Sequence, residues 1–169
     1  MPMLRFKLIA AVCSDGGIGN KGQLPWPHCK ADMAHFAKRT TGSGNNAVIM
    51  GKKTWDSIPA RPLKRRTNLI ISSHAQPHAQ PHAQPHAQPH AQPHEQQEHW
   101  FATMPDLFAH LESASYDEVW IIGGASIYEQ FLAMHERNEI VIDEMCITTM
   151  EPIYKCDTFF PLHYLKKSV

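Results

Sequence analysis

Phe6–Cys13 reads FKLIAAVC, a near-continuous apolar run of strand length. A strand that meets water on one face alternates apolar and polar residues, so a run without alternation predicts a strand covered on both faces. Such a strand belongs in the middle of a sheet flanked by helices. Further strand-like runs stand at Ala47–Met50, Asn68–Ser72, Val119–Ile122 and Ile140–Thr149, each bounded by Gly, Pro, Ser or charged residues. Between them, apolar residues recur at steps of three and four over Ala31–Arg39, Lys53–Ile58, Asp106–Ser113 and Ala125–Met134. This alternation predicts an α/β, three-layer fold: a mostly parallel central sheet with helices on both faces and ligands bound beyond the carboxyl ends of the strands. A length of 169 residues suits one compact domain spanning 1–169.

One segment departs from the pattern. From His74 to Pro93 the tetrapeptide His-Ala-Gln-Pro occurs five times, and a low-complexity insert is expected over 74–99. A proline at every fourth residue removes donors that a helix or a central strand needs, which predicts extended, polyproline-like chain in a surface loop. In such chain the histidines wind around the axis, so adventitious metal binding is expected rather than a defined metal site. A metal-binding or pH-sensing arm is the competing reading.

Charge narrows the partners. Lysine plus arginine equals aspartate plus glutamate at 16 each, which gives no pull toward nucleic acid or an anionic membrane and points to a small-molecule partner. No apolar run approaches the roughly 18 residues of a membrane span, and Met1–Lys7 lacks the apolar stretch of a secretory signal, so a cytoplasmic location is expected. Cys13, Cys29, Cys146 and Cys156 lack CxxC spacing and are expected to be free thiols.

Four places carry chemistry. After the first strand, Asp15-Gly16-Gly17-Ile18-Gly19 and Gly22-Gln23-Leu24-Pro25-Trp26-Pro27 form a glycine-rich segment that can fold over a ligand or simply connect elements. Asp32 stands in a helix-like stretch whose apolar positions 33, 36 and 37 are expected to face the core. A carboxylate there would have a raised pKa and suit ring nitrogens, the alternative being a helix-surface aspartate near the amino end. Val48–Trp55 reads VIMGKKTW, a strand running into a helix start where backbone N–H groups, Thr54 and two lysines suit phosphate. Val119–Tyr128 repeats the strand, glycine pair and helix arrangement, letting backbone approach a pyrophosphate, although it is not GxGxxG.

With these units in this order and spacing, the chain resembles the dihydrofolate reductase family from Leu8-Ile9-Ala10-Ala11 to Asp157-Thr158-Phe159-Phe160-Pro161. Trp26-Pro27 and the six-residue step to an acid are similar to eukaryotic and viral members, whereas an aspartate as that acid is similar to most bacterial ones. The resemblance implies NADPH-dependent reduction of dihydrofolate to tetrahydrofolate, with hydride passing to pterin C6 and a proton to N5. By the same resemblance, Asp32 would hold the pterin, Thr148 would bond both that carboxylate and the pterin, and water near Trp26 would deliver the proton. Ile9, Ala11, Met33, Phe36, Ile58, Leu63 and Ile122 would line the pterin and aminobenzoyl cleft, and Arg66 would meet the glutamate tail. Ala11, Ile18, Gly19 and Leu24 would lie on the nicotinamide side. Gly123, Gly124, Ser126, Ile127 and Tyr128 would surround the pyrophosphate opposite Lys53 and Thr54, and Lys52 with Ser72 and Ser73 would meet the 2'-phosphate.

Two departures accompany the resemblance. Thr103 stands where members commonly carry a basic residue that helps hold the 2'-phosphate. Members also continue well beyond the Phe-Pro motif to supply two last strands, whereas Val169 follows Pro161 by 8 residues. An exposed edge at Ile140–Thr149 and self-association through it are therefore expected. A riboflavin-pathway reductase on the same fold would be expected to lack Leu24-Pro25-Trp26 with Asp32. A catalytically impaired, reductase-like binding module displaying the histidine arm is the remaining alternative.

Overall fold

A computed structural model describes residues 3–74 and 97–166. The elements run β1 (Arg5–Cys13), β2 (Gly17–Gly19), α1 (Lys30–Thr41), β3 (Asn46–Gly51), α2 (Lys52–Ser57), β4 (Arg66–Ile71), β5 (Glu98–Phe101), α3 (Met104–Ser113), β6 (Val119–Gly123), α4 (Ala125–Glu136), β7 (Val141–Met150) and β8 (Thr158–Phe159). Six strands form one sheet in the order β5-β4-β3-β6-β1-β7, with every pairing parallel. The two-sided burial expected of FKLIAAVC is observed, because β1 lies between β6 and β7 with apolar layers above and below.

On one face, Phe6, Leu8, Ala10, Ala47, Ile49, Leu69 and Ile121 pack against Leu107 and Leu111 of α3 and Ile127, Phe131 and Leu132 of α4. On the other, Ile9, Val48, Met50, Ile70 and Trp120 pack with Trp55 of α2 and the half-buried Phe36 of α1. The second layer is the thinner one. Helix α1 carries few large apolar side chains, and it is held mainly through its carboxyl half. There Thr40 is buried and its carbonyl accepts from Asn46 Nδ2 at 3.0 Å, while Arg39 pairs with Glu144 and lies 5.4 Å over the Trp120 ring. The amino half of α1 stands clear of the sheet. Met33, expected to face the core, is 42% exposed.

A bulge aligns the far side of the site. Phe6 pairs with Ile142 but Lys7 with Glu144, so Asp143 is the extra residue and salt-bridges Arg5. The shift sets Glu144, Cys146 and Thr148 level with Lys7, Ile9 and Ala11. Register partners in parallel strands share a face, so Thr148 stands beside Ala11 on the α1 side.

Three short strands escaped the sequence pattern. β2 and β8 pair antiparallel with each other, and β5 adds to the edge of β4. The insert expected over 74–99 therefore ends earlier, since Glu98 and His99 belong to the sheet. His74 is tied back through its N–H to Ser72 Oγ at 3.3 Å, and the expectations for the repeat at 75–96 lie outside the described residues.

Candidate active site

The carboxyl ends of β1, β3, β6 and β7 open toward the free half of α1, and this is where the sequence-derived residues gather. Ile9 is buried, whereas Phe36, Ile58, Leu63 and Ile122 are half-buried members of the same apolar cluster. Large apolar side chains left partly open in one cluster form a wall that a flat heteroaromatic ring can cover. Ala11 and Thr148 face each other in register at its end, both half-buried.

Asp32 sits in the first turn of α1 at the rim of this wall. It is half-buried, and burial pushes its carboxyl above the ordinary carboxylate range, partly opposed by His35. No side chain among the described residues hydrogen-bonds it, and the direct bond to Thr148 that the resemblance implied is not present. An unpaired carboxyl beside apolar surface suits a ligand that brings its own donors.

Trp26 is buried and meets Tyr154 edge to face at 6.4 Å. Leu24, at the loop tip, is 55% exposed. The glycine-rich segment is anchored rather than loose: Asp157 N–H donates to Gly19 O at 2.9 Å and Lys21 N–H to the Asp157 carboxylate at 2.8 Å. Ile18 and Gly19 are thus held next to the end of β1.

Arg66 opens β4, two residues before the start expected for that strand, with its guanidinium 5.9 Å over Phe36. Its Nε donates to Lys64 O at 3.0 Å and Nη1 to Thr40 Oγ1 at 2.9 Å. No carboxylate of the described residues pairs with it, which leaves a half-buried cation available to an anionic ligand. Sequence reasoning missed its neighbour Asn68. That fully buried amide donates to Leu63 O and Arg66 O at 3.0 Å each and accepts from Leu63 N–H, fixing the segment that presents both residues. A lone Asn inside an apolar strand was the available signal.

The second half of the site is built from two turns. Gly51 and Gly124 precede α2 and α4 at the ends of the neighbouring strands β3 and β6. They are close: a Cβ on Gly124 would lie 3.4 Å from Thr54 Oγ1, and one on Gly51 would lie 3.3 Å from Ile127. The first amides of α4 have no intrahelical acceptor and point into this gap. Ser126 and Lys53 are exposed beside it.

Tyr128 does not join them. It is buried, and its hydroxyl donates to Ile9 O at 2.8 Å while its backbone N–H is taken by Gly124 O. Ile127 is likewise buried, its side chain packed into the core and against Gly51. Helical spacing forces both inward, along with Phe131 and Leu132. Lys52 salt-bridges Asp56 at 2.5 Å, Ser72 is largely buried with its Oγ accepting from His74 N–H, and Ser73 Oγ lies 3.2 Å from His74 Nδ1. Thr103 caps α3, its Oγ1 accepting from Asp106 N–H at 3.2 Å.

Comparison with known proteins gives the family. The family model described as dihydrofolate reductase matches residues 5–167. The chain belongs to the dihydrofolate reductase family. It is 32% identical over 165 residues to a dihydrofolate reductase of Drosophila melanogaster and 34% over 170 residues to that of Rattus norvegicus, in each case covering 94% of this chain and 80% of the relative. A viral dihydrofolate reductase of Saimiriine herpesvirus 2 is 36% identical over 169 residues, covering 94% of this chain and 70% of the relative. The family similarity favours the reductase over the binding-module alternative. No helix among the described residues is long and apolar enough to cross a membrane.

Proposed function

We propose that this chain reduces 7,8-dihydrofolate to 5,6,7,8-tetrahydrofolate with NADPH, in the cytoplasm, in support of one-carbon metabolism and thymidylate synthesis. The observation that carries the reading is the half-buried, unpartnered Asp32 at the rim of the Ile9, Phe36, Ile58, Leu63 and Ile122 wall, across the sheet end from the Gly124–Thr54 gap. A Cβ at Gly124 would narrow that gap, and free helix-start amides, Thr54, Ser126 and Lys53 surround it, so the donor set suits a pyrophosphate. When bound, NADPH supplies the hydride that passes to pterin C6.

The remaining work belongs to the protein. Asp32 binds the donors of the pterin edge and, as the negative charge in the cleft, favours the form of the ring that carries a proton at N5. Thr148 and Ala11 complete the polar end of the cleft, and Met33 covers its rim as an exposed apolar flank. Buried Trp26 and exposed Leu24 limit water to the few molecules that deliver the proton. Arg66 takes a carboxylate of the glutamate tail with the part of its guanidinium that Lys64 and Thr40 leave free. Lys52, once drawn from Asp56, meets the 2'-phosphate with Ser73, which favours NADPH over NADH.

The test is NADPH oxidation with dihydrofolate, followed spectrophotometrically, for the parent and Asp32→Asn. The expected result is turnover in the parent and its loss near neutral pH in the variant, with NADPH binding retained. A variant that keeps turnover within a few-fold of the parent removes Asp32 from this role, and an inactive, folded parent overturns the reading.

A further inference from the structure

We propose that Cys13 and Cys156 form a thiol pair that a peroxide converts into a reversible disulfide. Cys13 is the last residue of β1 and is fully buried. The chain turns immediately after it, with Gly16 N–H donating to Cys13 O at 2.8 Å, and then runs into β2. Cys156 precedes β8, which pairs with β2, and its side chain is directed at that turn. The fit is tight: a Cβ on Gly17 would lie 2.3 Å from Cys156 Sγ and 2.8 Å from its Cβ. Cys156 Sγ donates to Tyr154 O at 3.3 Å and packs on Gly17, four residues beyond Cys13, so the two thiols border the same turn. The other cysteines are placed differently, since Cys146 bonds Glu144 and lies 3.5 Å from Arg39 Nη2, and Cys29 precedes α1.

Exposure divides the roles. Cys156 is half-buried and reachable, whereas Cys13 is not. The Cys156 thiolate attacks one peroxide oxygen, the O–O bond breaks, and the departing hydroxide takes a proton to leave as water. The resulting sulfenic acid is attacked by the Cys13 sulfur, the S–O bond breaks, a second water leaves, and the S–S bond forms. Each sulfur loses one electron, and the peroxide gains two. Burial, Cys13 and Asp15 push the Cys156 thiol up, which makes the first step slow at neutral pH and faster in mild base.

The experiment treats the full chain with hydrogen peroxide at about pH 8.5, blocks remaining thiols with an alkylating agent, and maps peptides by mass. The expected product is a Cys13–Cys156 peptide pair lighter by two hydrogens, separated again by dithiothreitol, in a protein whose Tm has risen by at least about 5 °C. Cys156→Ser should abolish the product and leave basal turnover unchanged. Cys13→Ala, which preserves a small apolar group in the buried position, should instead yield Cys156 sulfenic acid trapped by dimedone. Both thiols remaining open to alkylation in the folded, treated parent overturns the proposal, as does a link confined to Cys29 or Cys146.

Discussion

Burial pushes the Asp32 carboxyl up, so between the ordinary carboxylate pKa and its folded value the folded protein holds a proton that the unfolded chain has lost. Stability from that proton is fully present below about pH 4 and disappears as pH rises through the folded value. At pH 7 the ionised group therefore burdens the ligand-free fold. Asp32→Asn should raise Tm there by about 1–3 °C while removing activity, and a thermal melt beside the turnover assay checks both. Tyr128 makes the opposite case. Its hydroxyl is sealed against Ile9 O, so Tyr128→Phe should cost about 1 kcal/mol, or about 2–4 °C in Tm, without changing NADPH affinity. Titration of NADPH against the variant decides it: a clear loss of affinity would return Tyr128 to the cofactor site.

At the scale of elements, β5 and α3 meet through His99 and His110, whose rings lie 4.8 Å apart, with Phe101 at 5.2 Å from the His110 ring and Tyr116 OH at 2.8 Å from His110 Nε2. Burial lowers both histidine pKa values; Glu98 partly opposes this at His99, and His99 adds to it at His110. Their contribution is present above about pH 6.5 and is lost as pH falls through the lowered values. His110→Gln keeps a hydrogen bond to Tyr116 and does not titrate, so the fall in Tm between pH 7 and pH 5 should shrink; melts across that range on both proteins test it. This junction was also the least legible in the sequence. Five strands and four helices were readable within about two residues because long apolar runs end at Gly, Pro or charge. β5 has only Trp100 and Phe101 as apolar residues and adjoins the repeat, while β2 and β8 exist only because distant residues meet. The site divides in the same way. Its residue types were legible, but the directions of Met33 and Tyr128 were decided by how α1 and α4 pack.

For the whole molecule, the sheet edge at β7 has the widest consequence. Among the described residues β7 pairs on one side only, with β1, through nine of its ten residues. Asp143 and Glu144 guard its first half with charge, whereas Met145–Met150 carries none. Concentration-dependent self-association through that second half is expected; light scattering that reports a monodisperse monomer at all concentrations would show the edge to be covered. The opposite edge leads to a second expectation. Deleting His78–Pro93 leaves Ser72–Pro77 and His94–Gln97, ten residues reaching up to about 33 Å, to return along a β5 strand of about 13 Å. The sheet can still close, so turnover near pH 7.5 should be unchanged, and a large loss in the deletion variant would place the tract in the site.

That pairing of β4 with β5 has an inheritance consequence. Among the described residues, register is fixed by the pairs from Asn68 against Glu98 to Ile71 against Phe101. Gaining or losing one tetrapeptide alters the closure entropy of the connection by only about 0.1 kcal/mol. Replication slippage in the coding repeat, which adds or removes whole units in frame, is thus nearly invisible to folding, and chains differing in unit number should coexist among isolates with indistinguishable melting curves.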